Sequence, residues 1–206
     1  MGKTTLMCEL LRRLPGWEAI KMTRGHYRSC GKDPHACCVS HLLSEEPVIR
    51  SGRVETYARG KDTGRYWDAG ASNVHWAIVT DEQVCAGVRR ALERVAAPGV
   101  LIEGNSLLDF VEVDFAIMVA RSSGGKVKAS ARRALRKSSA LYLSDEDDAE
   151  GAHGRFEAWR NEPFYKDLVG ALPVYTPSEI PQLAARLESL RAKGLDMLVK
   201  ETTMKR

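Results

Sequence analysis

The sequence predicts an α/β fold in which a mostly parallel sheet carries helices on both faces. Three observations predict it: short apolar runs alternate with helix-like segments, the segment Gly2–Thr5 stands directly before one such helix, and the apolar run Val100–Ile102 ends in Glu103 and Gly104. The chain has 206 residues, of which 44% are hydrophobic and 28% charged, as in ordinary globular proteins. We therefore expect a single α/β domain over residues 1–206.

The elements follow from periodicity and from residues that stop helices or open turns. Leu6, Leu10 and Leu14 recur at a spacing of four, which predicts a first helix that Pro15 and Gly16 end. A Thr80–Gln83 pair has the pattern of a capping box and predicts the start of another helix. The predicted helices are Thr4–Leu14, Lys61–Ala71, Thr80–Ala97, Ala129–Lys137, Gly154–Gly170 and Ser178–Lys193.

The strands are predicted from apolar runs bounded by these helices. Val100–Ile102 has no polar residue, which is typical of strands buried in a parallel sheet. The predicted strands are Trp17–Met22, Asn73–Thr80, Val100–Ile102, Phe115–Ala120, Ala140–Leu143 and Leu172–Tyr175. Between the first two predicted strands, residues 24–60 show no regular spacing of apolar residues. We interpret them as an insertion with a ribbon near Val48–Tyr57.

Charge and composition exclude several classes of protein. The net charge of +4 is too small to indicate nucleic acid as a partner. The chain has no run of about 18 apolar residues and no export-signal pattern, so we expect no membrane span and a cytoplasmic location. Five cysteines in such a chain favour free thiols or metal ligands over disulfides.

The segment Gly2-Lys3-Thr4-Thr5 matches the second half of the phosphate-binding Walker A motif. Gly2 would let the backbone approach phosphates, Lys3 would reach the β- and γ-phosphates, and Thr4 would supply a hydroxyl to Mg²⁺. Thr5 completes the motif at the start of the helix. Chance occurrence is the alternative interpretation.

Only Met1 precedes this half-motif, so the first strand and first glycine of a phosphate loop are expected to be missing from the chain. We expect the in-frame codons upstream to encode about ten residues that supply them. The 206-residue form should then bind nucleotide more weakly than an extended form.

Val100–Ile102 followed by Glu103 and Gly104 is typical of a Walker B strand, whose terminal carboxylate holds Mg²⁺ or its water. The alternative is a strand that ends in a solvated glutamate. Together with Gly2–Thr5, this carboxylate predicts a magnesium–nucleotide site.

Taken in order, five segments resemble the MobB family of molybdopterin-guanine dinucleotide biosynthesis proteins. They are Lys3-Thr4-Thr5, Ile20-Lys21, Gly60-Lys61-Asp62-Thr63-Gly64-Arg65-Tyr66, Ala69-Gly70-Ala71 and Ile102-Glu103-Gly104. The resemblance covers about the first 120 residues. It implies a P-loop NTPase-like α/β domain, usually dimeric, that binds GTP with Mg²⁺ and assists guanylylation of the molybdenum cofactor. It also implies a guanylyltransferase or molybdenum-cofactor enzymes as partners.

The resemblance assigns roles to single residues. It implies that Lys3 and Thr4 carry phosphate and Mg²⁺, that Glu103, followed by Gly104, supports Mg²⁺, and that Asp62 and Arg65 belong to a nucleotide-facing segment. Lys3 and Glu103 would be the catalytic residues of a GTPase that is weak at most. The Asn-Lys-x-Asp motif that selects guanine is absent, so the base stays open.

Cysteine and histidine concentrate in the insertion, at His26, Cys30, His35, Cys37, Cys38 and His41. Thiolate and imidazole are the ligands that Zn²⁺ favours, and Cys30, Cys37, Cys38 and His41 form the candidate zinc set. Buried structural cysteines or redox-labile thiols are the alternatives. His75, within a predicted strand, is interpreted as a structural histidine.

Three other functions stay open beside the MobB-like one. A metal-delivering GTPase would use the Cys/His insertion. A small-molecule phosphotransferase would use Glu103 as its base. The third is a non-catalytic protein that no longer binds nucleotide.

Overall fold

A computed structural model of the chain describes residues 2–27, 39–104, 107–121, 129–145, 149–161 and 172–204. Helices and strands alternate along these ranges, and all strand pairings but one are parallel, which confirms the predicted α/β class. The chain divides into two compact units, residues 14–111 and residues 1–13 with 112–206. We name them the four-stranded unit and the three-stranded unit after their sheets. The single domain expected over residues 1–206 stays a prediction.

The elements of the described residues are numbered along the chain. The helices are α1 (Lys3–Leu11), α2 (Arg53–Thr56), α3 (Asp62–Asp68), α4 (Val84–Leu92), α5 (Ala129–Arg136), α6 (Ala149–Arg160) and α7 (Ile180–Met204). The strands are β1 (Glu18–Arg24), β2 (Val48–Ser51), β3 (Val74–Val79), β4 (Val100–Glu103), β5 (Ile117–Ala120), β6 (Ala140–Leu143) and β7 (Val174–Tyr175). Short 3-10 turns lie at Ser40–Leu42, Leu107–Asp109 and Pro177–Glu179.

The sheet of the four-stranded unit has the strand order β2-β3-β1-β4. Strand β1 pairs in parallel with both neighbours, and Ile20 lies opposite His75 on one side and Ile102 on the other. Strand β2 runs antiparallel to β3 at the edge. The core of this unit contains Ile20, Ala77 and Ala91, which are fully buried. The parallel part therefore forms where the sequence has apolar runs.

Helix α4 shows how the sequence directs packing in this unit. Val84, Val88 and Ala91 are buried at spacings of four and three, so they share one face. Arg89 and Arg90 fall between them, and Arg90 pairs with exposed Glu46. The helix begins at Val84 rather than at Thr80. The preceding residues form a turn in which the Gln83 side chain accepts the Thr80 N–H at 3.0 Å, one of the two bonds of the predicted capping box.

The insertion leaves and rejoins the sheet at closely spaced points. The Gly25 N–H donates to the Val79 carbonyl at 2.9 Å, and a Cβ placed on Gly25 would lie 2.7 Å from Val39 Cγ2. On the return side, Gln83 Nε2 donates to the carbonyls of Ser44 and Glu45 at 2.9 and 2.8 Å. Both ends of the segment that spans residues 28–38 are thus fixed to the four-stranded unit. The ribbon expected near Val48–Tyr57 is strand β2 followed by helix α2.

The three-stranded unit has a parallel sheet with the order β5-β6-β7. Its core is built from Leu135 of α5, Leu141 and Leu143 of β6, and Phe156 of α6. Phe156 is 1% exposed, and burial of such a side chain stabilises a fold by about 1.5–3 kcal/mol. Helix α1 contacts α7 in this unit. Among the described residues, no helix combines the length and the apolar character that a bilayer crossing requires.

Candidate functional site

The start of helix α1 carries the predicted phosphate-binding residues, all within the three-stranded unit. Gly2 precedes the helix with φ 107° and ψ −21°, a left-handed conformation that glycine adopts without strain. A Cβ at this position would lie 2.7 Å from Ser144 Cβ and 3.2 Å from Val119 Cγ1. Val119 lies near the carboxyl end of β5 and Ser144 directly follows β6. The backbone at Gly2 therefore passes closely over the carboxyl edge of the parallel sheet, where only a glycine fits.

The geometry of this helix start is suited to an anion. The first bond along the helix runs from the Leu6 N–H to the Gly2 carbonyl at 2.9 Å, and the amides of the first turn point out of the N-terminus. This end of a helix carries a partial positive charge that favours phosphate. Lys3 and Thr4 are half-buried there and Thr5 is exposed.

The predicted Walker B carboxylate is buried at the end of β4, in the four-stranded unit. Glu103 is 7% exposed. Its Oε1 accepts a hydrogen bond from Lys21 Nζ at 2.8 Å, and its Oε2 accepts one from the Tyr66 hydroxyl. Lys21 lies directly opposite Glu103 in the parallel register of β1 and β4. The alternative of a solvated glutamate is therefore wrong for Glu103.

A second carboxylate shares the same lysine. Lys21 Nζ lies 2.7 Å from Asp62 Oδ2, at the start of α3, so one ammonium group links Asp62 and Glu103. The Lys21 side chain is 17% exposed and that of Asp62 is 41% exposed. The Lys21 ammonium therefore bridges two carboxylates, and the group reaches solvent on the Asp62 side.

The other predicted residues of this unit lie around the Lys21–Asp62–Glu103 cluster. Arg65, one turn after Asp62 in α3, is exposed. Gly104 follows Glu103, and a Cβ there would lie 3.0 Å from Met22 Cβ. A side chain at position 104 would press on β1 beside Lys21. The close approach gives a packing reason for the glycine.

The candidate zinc set is only partly described. Cys30, Cys37 and Cys38 lie outside the described residues, while His41 lies exposed in the Ser40–Leu42 turn. Within the part of the chain that the structure describes, no group of three or more His, Cys, Asp or Glu side chains is arranged to hold a metal ion. Zinc binding stays a prediction. Cys8 is buried and Cys85 half-buried, and neither forms a disulfide.

The structure adds two residues that sequence reasoning did not assign to the site, Lys21 and Tyr66. Both occur in the segments that resemble the MobB family, yet their partner Glu103 is 82 residues from Lys21 and 37 from Tyr66. The one available signal was a lysine between the apolar residues Ile20 and Met22 of a predicted strand.

Comparisons with known proteins add no relative. Searches of protein-family models, of curated proteins and of solved structures each give no significant match.

Proposed function

We propose that this chain binds a purine nucleotide, GTP in the first instance, together with Mg²⁺. The observation that carries the proposal is the buried Glu103 carboxylate at the carboxyl end of a parallel strand, held by Lys21 and Tyr66 and linked through Lys21 to Asp62. Ligands of open α/β sheets bind beside this edge. The left-handed Gly2 at the start of α1 supports the phosphate-binding half of the proposal.

The donor chemistry of Glu103 fits magnesium through water. Both carboxylate oxygens already accept a hydrogen bond, from Lys21 and from Tyr66. A carboxylate held in this way is oriented to accept a further bond from a metal-bound water, and Mg²⁺ usually keeps several waters. In the sequence motif at the start of α1, Thr4 is the residue whose hydroxyl is assigned to Mg²⁺. Mg²⁺ would neutralise phosphate charge there.

The remaining residues have defined tasks in the proposal. Lys3 would neutralise the β- and γ-phosphates, with the backbone amides of Gly2 to Thr5 around them. Asp62 and Arg65, on α3, would form a nucleotide-facing segment whose position depends on the Lys21–Asp62 ion pair. Any hydrolysis would be slow.

The proposal extends to a P-loop NTPase-like fold and to a MobB-like role. In that role a cytoplasmic, homodimeric protein presents GTP during guanylylation of the molybdenum cofactor, with a guanylyltransferase or a molybdenum-cofactor enzyme as partner. The order of the five MobB-like segments supports this extension.

Fluorescent GTP and ATP analogues, titrated with and without Mg²⁺, test the nucleotide proposal. Glu103→Gln should lower the apparent Mg²⁺ affinity of the nucleotide complex about 10- to 100-fold, as loss of outer-shell metal partners does. The matched control is Glu93→Gln, a change at an exposed glutamate of the same unit, which should leave the apparent Mg²⁺ affinity unchanged. Unchanged Mg²⁺ dependence in folded Glu103→Gln protein would remove Glu103 from the site. Binding of ATP but not GTP would overturn the choice of base.

A further inference from the structure

Three side chains of the four-stranded unit form a chain of hydrogen bonds across three strands. Ser51 Oγ, at the end of β2, lies 2.8 Å from His75 Nδ1 in β3. His75 Nε2 lies 2.7 Å from Glu18 Oε2 at the start of β1. A hydroxyl, an imidazole and a carboxylate in this sequence of contacts can act as an activated nucleophile, and the arrangement recurs on unrelated folds.

The partners of Glu18 determine where the imidazole hydrogen lies. Glu18 Oε1 accepts the backbone N–H groups of Ala96 and Ala97 at 3.1 and 2.9 Å, so the carboxylate acts as an acceptor on that oxygen too. In the neutral imidazole the hydrogen therefore lies on Nε2, where it is donated to Glu18. The lone pair of Nδ1 then faces the Ser51 hydroxyl, which donates to it. This is the tautomer that a general base needs.

The carboxylate and the imidazole of this hydrogen-bonded series are buried, and the residue that carries the hydroxyl is half-buried. Glu18 is 4% exposed and His75 is 0% exposed, whereas Ser51 is half-buried on the edge strand of the sheet. The next residue, Gly52, has φ 82°, which lets the chain turn sharply into α2 directly after Ser51. The imidazole is thus shielded from water, whereas Ser51 remains partly exposed.

Two charged groups flank Ser51. Arg94 Nη1 lies 3.3 Å from Ser51 Oγ and 2.9 Å from the Ile49 carbonyl, to which it donates. The Ser51 backbone N–H donates to Glu55 Oε2 at 2.9 Å. Arg94 therefore places a cation 3.3 Å from the hydroxyl, where it can pair with negative charge on a group that reacts there.

We propose that Ser51 is a nucleophile for small carboxylic esters that carry a second, anionic group. His75 is its general base, Glu18 positions the imidazole, and Arg94 binds the anionic group. The proposal does not depend on nucleotide binding, because none of its residues belongs to the Lys21–Asp62–Glu103 cluster or to α1.

The reaction balances without another cofactor. Ser51 Oγ forms a bond to the ester carbonyl carbon as its proton passes to His75 Nδ1. The carbon–oxygen bond to the alcohol breaks, and the alcohol leaves with that proton. Water then attacks the acyl-serine and gives a proton to Nδ1. The carboxylic acid departs and Ser51 Oγ recovers the proton.

A fluorophosphonate probe tests the nucleophile directly, since a new Oγ–P bond forms and fluoride leaves. Intact-mass and peptide analysis should find one modification per chain at Ser51 in native protein and none in urea-unfolded protein. Ser51→Ala should abolish it. Ser72→Ala is the matched control and should not change it, because Ser72 Oγ donates to the backbone carbonyls of Gly16 and Trp17. Native protein left unmodified at Ser51 would overturn the proposal, whatever the other variants do.

Glu18→Gln tests the positioning role. The carbonyl oxygen of the substituted side chain should go on accepting hydrogen bonds from the Ala96 and Ala97 N–H groups. Its NH2 group would then face His75 Nε2 and donate to it, which moves the imidazole hydrogen to Nδ1. Labelling of Ser51 should then slow about 100-fold or more, as for loss of a general base. Imidazole ¹⁵N NMR should show the change of tautomer directly. A switched tautomer with undiminished labelling would overturn the role of His75.

Ester preference tests Arg94. Native protein should cleave the mono-p-nitrophenyl ester of succinate faster than p-nitrophenyl acetate, and Arg94→Gln should remove that preference. Equal preference in native protein would overturn the choice of anionic substrates.

Discussion

Replacement of Gly64 by alanine should destabilise the four-stranded unit although the change favours helix formation. Gly64 lies inside α3, and a Cβ there would stand 2.1 Å from the Ala58 carbonyl oxygen and 2.8 Å from its carbon. That oxygen accepts the Lys61 N–H at 3.0 Å in the turn before the helix, so it is held in place. The new methyl group would be roughly 1 Å inside an ordinary C···O contact of about 3.3 Å.

The two opposing effects have known sizes. Alanine in a helix interior is more favourable than glycine by about 1 kcal/mol. Overpacking costs about 1–3 kcal/mol, and the neighbour here is backbone that cannot rotate away. A contact of 2.1 Å places the cost at the upper end of this range, so we expect the free energy of unfolding to fall by about 2 kcal/mol net. Because α3 carries Asp62 and Tyr66, the displaced helix should also weaken the Lys21–Asp62–Glu103 cluster.

Gly154→Ala is the matched control. Gly154 lies in helix α6, is exposed, and has open space within 4 Å of the position that a Cβ would take, so the same substitution should stabilise by about 0.5–1 kcal/mol. Urea unfolding measures both changes. Tryptophan fluorescence follows mainly the four-stranded unit, which holds three of the four tryptophans (Trp17, Trp67 and Trp76), and far-UV dichroism follows the helices. A Gly64→Ala protein that unfolds at the same urea concentration as the native chain would refute the packing argument.

Three further substitutions test other contacts. Tyr66→Phe removes the hydroxyl that donates to Glu103 without creating a cavity, so urea unfolding should show a loss of about 1.5–3 kcal/mol; an unchanged midpoint would mean that the bond contributes nothing. Gly2→Ala forces a side chain into a left-handed conformation beside Ser144, so thermal unfolding of the three-stranded unit should reveal a loss of about 1–2 kcal/mol, and full stability would contradict the close approach. Arg24→Ala removes an ion pair with Asp81 whose side chains are 46% and 75% exposed, so the free energy of unfolding should stay within about 0.5 kcal/mol, and a larger loss would show a contribution beyond a surface ion pair.

The local pattern of the sequence was sufficient for much of the fold. Strand β6 occupies the predicted Ala140–Leu143, and β4 extends the predicted run by Glu103 alone, because apolar runs between turns leave few alternatives. Helix α4 starts four residues later than predicted. Its capping-box glutamine serves a turn and the carbonyls of Ser44 and Glu45, a tertiary use that no local pattern reveals.

The candidate sites were less accessible to sequence reasoning. The place of Glu103 at the end of β4 could be predicted because the apolar run Val100–Ile102 directly precedes it. The contact between Glu103 and Lys21 could not be predicted, since it depends on the register of β1 against β4. The same limit applies to His75, which was interpreted as structural: its contacts with Ser51 and Glu18 span 24 and 57 residues of sequence.

The anchoring of the insertion has a consequence for how this protein can diversify. Gly25, which contacts Val39, and Gln83, which holds Ser44 and Glu45, bring the chain back to nearly the place where it departed. The described pairings that set the register of β1 and β2 against β3 involve residues 19–24 and 48–51, which lie outside residues 28–38. Three of the five cysteines, Cys30, Cys37 and Cys38, lie between these two strands in the sequence. Substitution of these cysteines should leave the pairings intact, so the thiol content of the insertion can vary while the strand register stays fixed.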